Sequence, residues 1–172
     1  TAHVYGTNTV IADPVKTGYT FNGWKVNGGA AVKNLTLGAT DYTNVISLQA
    51  TWSANKYTAA FDKQNGTGGS TSAVVTFNSA MPAITVPTRT GYTFGGYYTA
   101  KNGGGTQYYT ASGASAKNWN IAANTTLYAK WTAKTYTVTF DKQNGTGGST
   151  SVAATFKVAM PAITIPVRKG YT

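Results

Sequence analysis

Asp62-Lys63 and Asp141-Lys142 each set a carboxyl beside an amine at the end of an apolar run, and each pair is followed by Gln-Asn-Gly. Buried together, such groups could drive an acid-assisted isopeptide crosslink, in which a desolvated lysine amine attacks an asparagine side-chain amide. Left on the surface they make an aspartate cap on a tight hairpin, and turn geometry is the expected role. Tyr97-Tyr98 and Tyr108-Tyr109 form a second candidate set. Successive strand residues point to opposite faces, so each pair places rings on both sides, and an outward ring can stack on a sugar or protein surface. The alternative gives one ring to the core and the other to a neighbouring strand or a joint between modules.

Beyond these the chemical inventory is thin: His3, Asp13, Asp41, Asp62 and Asp141, with no Glu and no Cys. Disulfides, thiolate metal sites and cysteine nucleophiles are excluded, and two-carboxylate catalysis or a carboxylate metal site has almost nothing to draw on. The expectation is no catalytic, metal-binding or cofactor-binding residue, and no cofactor. Sequons at Asn34, Asn65, Asn124 and Asn144 mean little in a chain with 31 threonines.

The elements that must carry these residues are strands. Four leucines and no glutamate starve any long amphipathic helix, whereas 31 Thr, 20 Gly and 12 Tyr supply strands and turns. The predicted class is mostly β, α+β at most. Tyr57 to Tyr92 returns as Tyr136 to Tyr171 with 26 of 36 positions identical, an offset of 79 residues. Leu48 to Trp52 returns as Leu127 to Trp131, and Gly18-Tyr19-Thr20-Phe21 as Gly91-Tyr92-Thr93-Phe94. The chain is therefore read as tandem modules: 1–52 the later part of one, 57–131 a complete copy, 136–172 the first half of another. Joints at 53–56 and 132–135 are too short for a flexible tether, so successive modules should sit end to end as stiff hinges flanked by Trp52 and Tyr57, and by Trp131 and Tyr136.

Alternation puts Tyr57, Ala59 and Phe61 on one face of an opening strand, and Leu127, Ala129 and Trp131 on one face of a closing strand. The loop Asp62 to Gly69 reads as a glycine-rich hairpin, with Asn65-Gly66 tolerating positive φ. Pro82 and Pro87 limit Ala83 to Val86 to a short edge strand or an extended connection. Residues 99–124 read as a long loop with a helical turn. The predicted core of the complete module is Phe61, Phe77, Ile84, Tyr92, Phe94, Leu127 and Trp131.

A formal charge of +10 favours anionic partners, although the basic residues stand singly except for Arg168-Lys169. No groove-reading or base-stacking motif argues for a specific nucleic-acid site. No run approaches the roughly 20 apolar residues of a membrane helix, and no leader-like segment opens the chain. The chain starts and stops inside a module. It is expected to be an internal piece of a longer polypeptide, or else the hairpin Tyr136 to Phe156 of one copy completes residues 1–52 of the next and builds a fibre.

These repeated elements resemble the Listeria-Bacteroides repeat family, whose members include the B-repeats of listerial internalins. The resemblance is carried by the strand and Asn-Gly hairpin of Tyr57 to Gly69 and Tyr136 to Gly148, the element Pro14-Val15-Lys16-Thr17-Gly18-Tyr19-Thr20-Phe21-Asn22-Gly23-Trp24, and the closing strand Leu127-Tyr128-Ala129-Lys130-Trp131. Tyr97 stands where the family pattern has tryptophan, and Gln49 and Thr51 depart from the closing-strand pattern. The resemblance implies small β-grasp-like modules of about four strands and a short helix, in tandem, in secreted or wall-anchored bacterial proteins, with no catalytic residues. The resulting expectation is a non-enzymatic stalk, spacer or fibre-building module of an adhesin-like extracellular or surface protein. Its partners would be neighbouring repeats or other copies. The rival is an adhesive module holding an anionic glycan, wall polymer or host surface through lysines and the four tyrosines.

Overall fold

The computed structural model describes residues 3–42 and 45–172; Thr1, Ala2, Thr43 and Asn44 of the first partial repeat lie outside them. Almost all regular structure is β. The strands are β1 Thr9–Val10, β2 Tyr19–Val26, β3 Ala31–Val32, β4 Thr36–Leu37, β5 Leu48–Ala54, β6 Lys56–Asp62, β7 Ser72–Thr76, β8 Tyr92–Tyr98, β9 Gln107–Tyr109, β10 Thr125–Ala133, β11 Thr135–Thr139 and β12 Ser151–Thr155. In place of the short helix the resemblance implies, the described residues hold one 3-10 turn, Lys101–Gly103. Among the described residues the strands form four small sheets, in the orders β1-β4, β3-β2-β5, β7-β6-β10-β8-β9 and β11-β12.

The residues gather into two compact units. One comprises Thr1–Ala60, Ser72–Pro82 and Lys117–Thr125; the other Phe61–Thr71, Ala83–Ala116 and Thr126–Thr172. In the first, β2 and β5 pair antiparallel with Phe21 opposite Trp52, and the rings meet edge to face at 5.3 Å. Phe21, Leu35, Leu37, Ala59, Val75, Met81 and Trp119 are buried there. In the second, β8 and β10 repeat that arrangement with Phe94 opposite Trp131, the rings 5.4 Å apart. Both pairings shift register just after the phenylalanine. The bulges place Gly23 at φ 133° and Gly96 at φ 109°, where a side chain would also strike backbone: Val32 at 2.7 Å in one case, the Tyr109 carbonyl oxygen in the other. Glycine at this position is thus required twice over.

The core of the second unit is a row of rings. Tyr109 meets Phe61 edge-on at 5.4 Å, Phe61 stacks on Tyr97 at 4.6 Å, Tyr97 meets Phe94 at 5.2 Å, and Phe94 meets Trp131. Such offset and edge-on pairs add to the stabilisation from burial alone. Of the seven residues expected in the core, Phe61, Phe94 and Leu127 are buried, while Phe77, Ile84, Tyr92 and Trp131 are half-buried. Ala83 to Val86 forms no strand; it is an extended connection held by Ile84 N–H to the Gly113 carbonyl (3.0 Å) and by Ser70 N–H to the Thr85 carbonyl (2.9 Å).

The segments read as four-residue joints are mostly strand. β5 ends at Ala54 and β6 begins at Lys56; β10 ends at Ala133 and β11 begins at Thr135. Each joint shrinks to one residue, Asn55 or Lys134, because backbone bonds continue up to it from both sides.

Candidate functional site

The Asp-Lys pairs are spent on their own loops. Asp62 Oδ1 accepts from Gln64 N–H at 2.9 Å, and Asp141 Oδ1 from Gln143 N–H at 3.0 Å. Lys63 Nζ donates to the Gly69 carbonyl at 3.3 Å and Lys142 Nζ to that of Gly148 at 3.0 Å, closing the same loop in both copies. The hydrogen bonds from Gln64, backbone first, hold the Asp62 carboxyl below its ordinary range, so it stays an anionic turn cap. Positive φ falls on Gln64 and Asn65, with Gly68 and Gly69 following, and again on Gln143, Asn144, Gly147 and Gly148. Gly66 is glycine for another reason: a Cβ there would lie 2.6 Å from the Trp131 ring and 3.0 Å from the Lys63 carbonyl. Trp131 Nε1–H donates to that same carbonyl at 2.9 Å. The closing strand thereby locks onto the opening loop.

The expectation of ligand-facing tyrosines is corrected for three of the four. Tyr97, Tyr108 and Tyr109 are buried, and Tyr98 is half-buried beneath Lys130, whose Nζ lies 5.7 Å from the ring centroid. Two local features overturn simple alternation. The bulge before Tyr97 shifts the register of β8, and residues 110–116 fold back along β9, with Ala116 N–H donating to the Tyr108 carbonyl (2.8 Å) and Tyr109 bridging Ser115. The edge of β9 away from β8 is therefore paired, and the rings of both Tyr108 and Tyr109 are buried. Burial pushes the Tyr97 and Tyr109 phenols up to about 12 each, with Asp62 adding to the effect on Tyr97, and raises that of Tyr108. Trp119, lying inside what reads as a loop, is wholly buried; its N–H donates to the Ser79 carbonyl (2.9 Å) and its carbonyl accepts from Asn78 N–H (2.7 Å). A tryptophan amid Lys117, Asn118 and Asn120 was the available signal, since so large a ring is rarely left in solvent.

What the sequence places apart and the structure brings together is the junction. Asn55 N–H donates to the Gly18 carbonyl at 2.9 Å, and its own carbonyl accepts from Phe77 N–H at 2.9 Å. Lys134 does the same with Gly91 and Phe156, at 2.9 Å in both bonds. Phe77 meets Tyr19 edge to face at 5.5 Å, as Phe156 meets Tyr92 at 5.5 Å. Gly18 and Gly91 share φ of 78°, and either would drive a Cβ into the phenylalanine ring. A cation stacks on the tyrosine: Lys16 Nζ on Tyr19 at 4.2 Å, the Arg89 guanidinium on Tyr92 at 4.0 Å. The joint aromatics are thus Tyr19 with Phe77 and Tyr92 with Phe156, in place of the expected Trp52, Tyr57, Trp131 and Tyr136. Each junction lies within a single compact unit.

Among the described residues, no three His or Asp side chains come together as metal ligands, and no helix is long and apolar enough to cross a membrane.

Short antiparallel strands, a twice-built glycine loop and a twice-built junction define a tandem-repeat β protein. The chain belongs to the Listeria-Bacteroides repeat family: the family's repeat domain matches residues 3–50, 57–130 and 136–172. It is 38% identical over 139 residues to Internalin H of Listeria monocytogenes, covering 77% of this chain and 23% of that protein. It is 27% identical over 186 residues to a protein of Evansella cellulosilytica provisionally named as a Gly-rich membrane protein, covering 98% of this chain and 20% of that one. The chain thus spans less than a quarter of the length of these relatives. No solved structure matches it.

Proposed function

We propose that this chain is a run of structural repeats from a bacterial secreted or cell-surface protein, serving as a stalk or spacer that holds other parts of that protein away from the envelope. The observation that carries this reading is the junction: the same two backbone bonds, ring pair and glycine recur at Asn55 and at Lys134. A linker that only tethers has no need of a defined joint; a spacer that transmits distance does. Family membership and kinship with an internalin and with a protein provisionally named as a Gly-rich membrane protein support the surface location. Adhesin-like and fibre-building roles are extensions of the same geometry to longer arrays.

The test is small-angle scattering on arrays of two, four and six repeats. A maximum dimension rising in proportion to repeat number supports a spacer. Growth as the square root, the behaviour of a flexible chain, removes it.

A further inference from the structure

We propose that the groove around Arg89, where the complete repeat meets the one after it, binds an acidic polysaccharide, taking one carboxylated or sulfated sugar segment per junction. Three cavities of about 430, 380 and 340 Å³ adjoin here, and Arg89 and Tyr92 line all of them. All their walls belong to one compact unit. The largest is lined by Asn65 and Thr67 from the hairpin loop, by Thr88 to Thr90 and Tyr92 from the proline element, and by Phe156 and Lys157 from the next repeat. Lys134 and Trp131 stand on the wall of the second.

The lining has the three parts a charged sugar needs. Arg89 stacks on Tyr92 and donates through one Nη1–H to the Gln64 carbonyl at 3.3 Å, which pins the guanidinium and leaves most of its five donors for an anion. Asn65 and the threonines offer amide and hydroxyl partners for sugar hydroxyls. The Phe156 and Trp131 rings offer apolar surface to sugar C–H faces. None of the residues lining the three cavities is acidic, so nothing in the groove competes for the cations or repels a carboxylate or sulfate.

The groove is composite, since Phe156 and Lys157 come from the following copy. Its cation recurs: Lys16 stacks on Tyr19, and Arg168 on Tyr171 at 4.2 Å. At the earlier junction Phe77 occupies the place of Phe156, with Asn78 where Lys157 stands. An array of repeats would therefore present serial weak sites to one linear polyanion, a geometry in which avidity exceeds single-site affinity. The inference goes beyond the spacer reading, which survives its failure, because scattering on arrays does not depend on any ligand.

The experiment measures binding of the full chain to surfaces bearing heparin, hyaluronan, neutral dextran or polyphosphate at about 150 mM salt, where unfocused surface charge is largely screened. Retention on heparin, hyaluronan or both, with none on dextran, is expected. Arg89→Ala should weaken it roughly tenfold and Lys157→Ala about threefold. Lys33→Ala, which removes the same charge outside the groove, should leave it unaltered. Equal losses in all three variants would mean diffuse charge attraction and overturn the proposal, as would binding to polyphosphate alone or to none of the polymers. Thermal melts establish that each variant is folded; if Arg89→Ala is not, the exposed Lys157→Ala decides the question against Lys33→Ala.

Discussion

The hydroxyls of Tyr97 and Tyr109 are buried without a hydrogen-bond partner, although the rings themselves anchor the aromatic row. An unpaired buried hydroxyl costs free energy that a phenyl ring avoids. Tyr97→Phe and Tyr109→Phe should therefore leave the melting temperature unchanged or raise it; a clear drop in both would show that the hydroxyls have partners. The same burial sets an alkaline limit. Free tyrosine titrates near 10, while these phenols are pushed up to about 12 in the fold. Because the folded state holds those protons longer, the associated stability is intact below about pH 10 and is lost as pH rises towards 12. Melts stepped through that interval should show the loss, and the double phenylalanine variant should flatten it. Trp131 has a different balance. Half-buried, it contributes contact with Phe94 and the bond to the Lys63 carbonyl, so Trp131→Ala should cost about 2 to 3 kcal/mol, below the range for fully buried rings, with Trp131→Phe losing about 1. Denaturant unfolding of the two variants separates packing from hydrogen bonding.

At the scale of the element, glycine divides into two kinds with different costs. Gly68 has φ 65° and open space where a side chain would go, so Gly68→Ala should cost only the left-handed penalty of about 1 kcal/mol. Gly96 sits in the β8 bulge against the Tyr109 carbonyl, and Gly96→Ala should cost more than about 3 kcal/mol, because backbone rather than a side chain must give way. Comparable unfolding midpoints for the two variants would contradict the assigned bulge. The contrast also explains what the sequence could disclose. Opening and closing strands were legible because Ala59, Phe61, Leu127 and Ala129 obey a period of two with only local neighbours involved. The loop was legible as a hairpin from Asn65-Gly66, yet the reason for Gly66 lies with Trp131, 65 residues away. Tyr97, Tyr108 and Tyr109 misled because a bulge and a returning loop, both set by distant pairing, place consecutive rings indoors. The junction was invisible for the same reason: Gly18, Asn55 and Phe77 become neighbours only once two repeats are folded.

At the scale of the whole chain, the question is whether one repeat constrains the next. A single residue separates β10 from β11, and that residue, Lys134, bonds backward to Gly91 and forward to Phe156. Two backbone bonds around one residue leave little torsional slack, and the Phe156 ring closes over Gly91 and against Tyr92. The ring should act as the stop of the hinge, while the backbone bonds act as its pin. Because the chain has no cysteine, Thr106→Cys and Thr150→Cys introduce a unique pair of spin labels, one in the complete repeat and one in the hairpin that follows. The distance distribution between them should be narrow in the parent. Phe156→Ala removes the stop and should broaden it, with only a modest change in the stability of the complete repeat, whose aromatic row does not include Phe156. Gly91→Ala should broaden it as well, since a methyl group there displaces the same ring. Inserting Gly-Ser-Gly after Lys134 leaves the ring present but removes the pin, and should give the widest distribution of the three. If Phe156→Ala stays as narrow as the parent, the orientation of successive repeats is set by the backbone alone. If the parent is already broad, the junction does not constrain the repeats, and the spacer reading loses its mechanical basis.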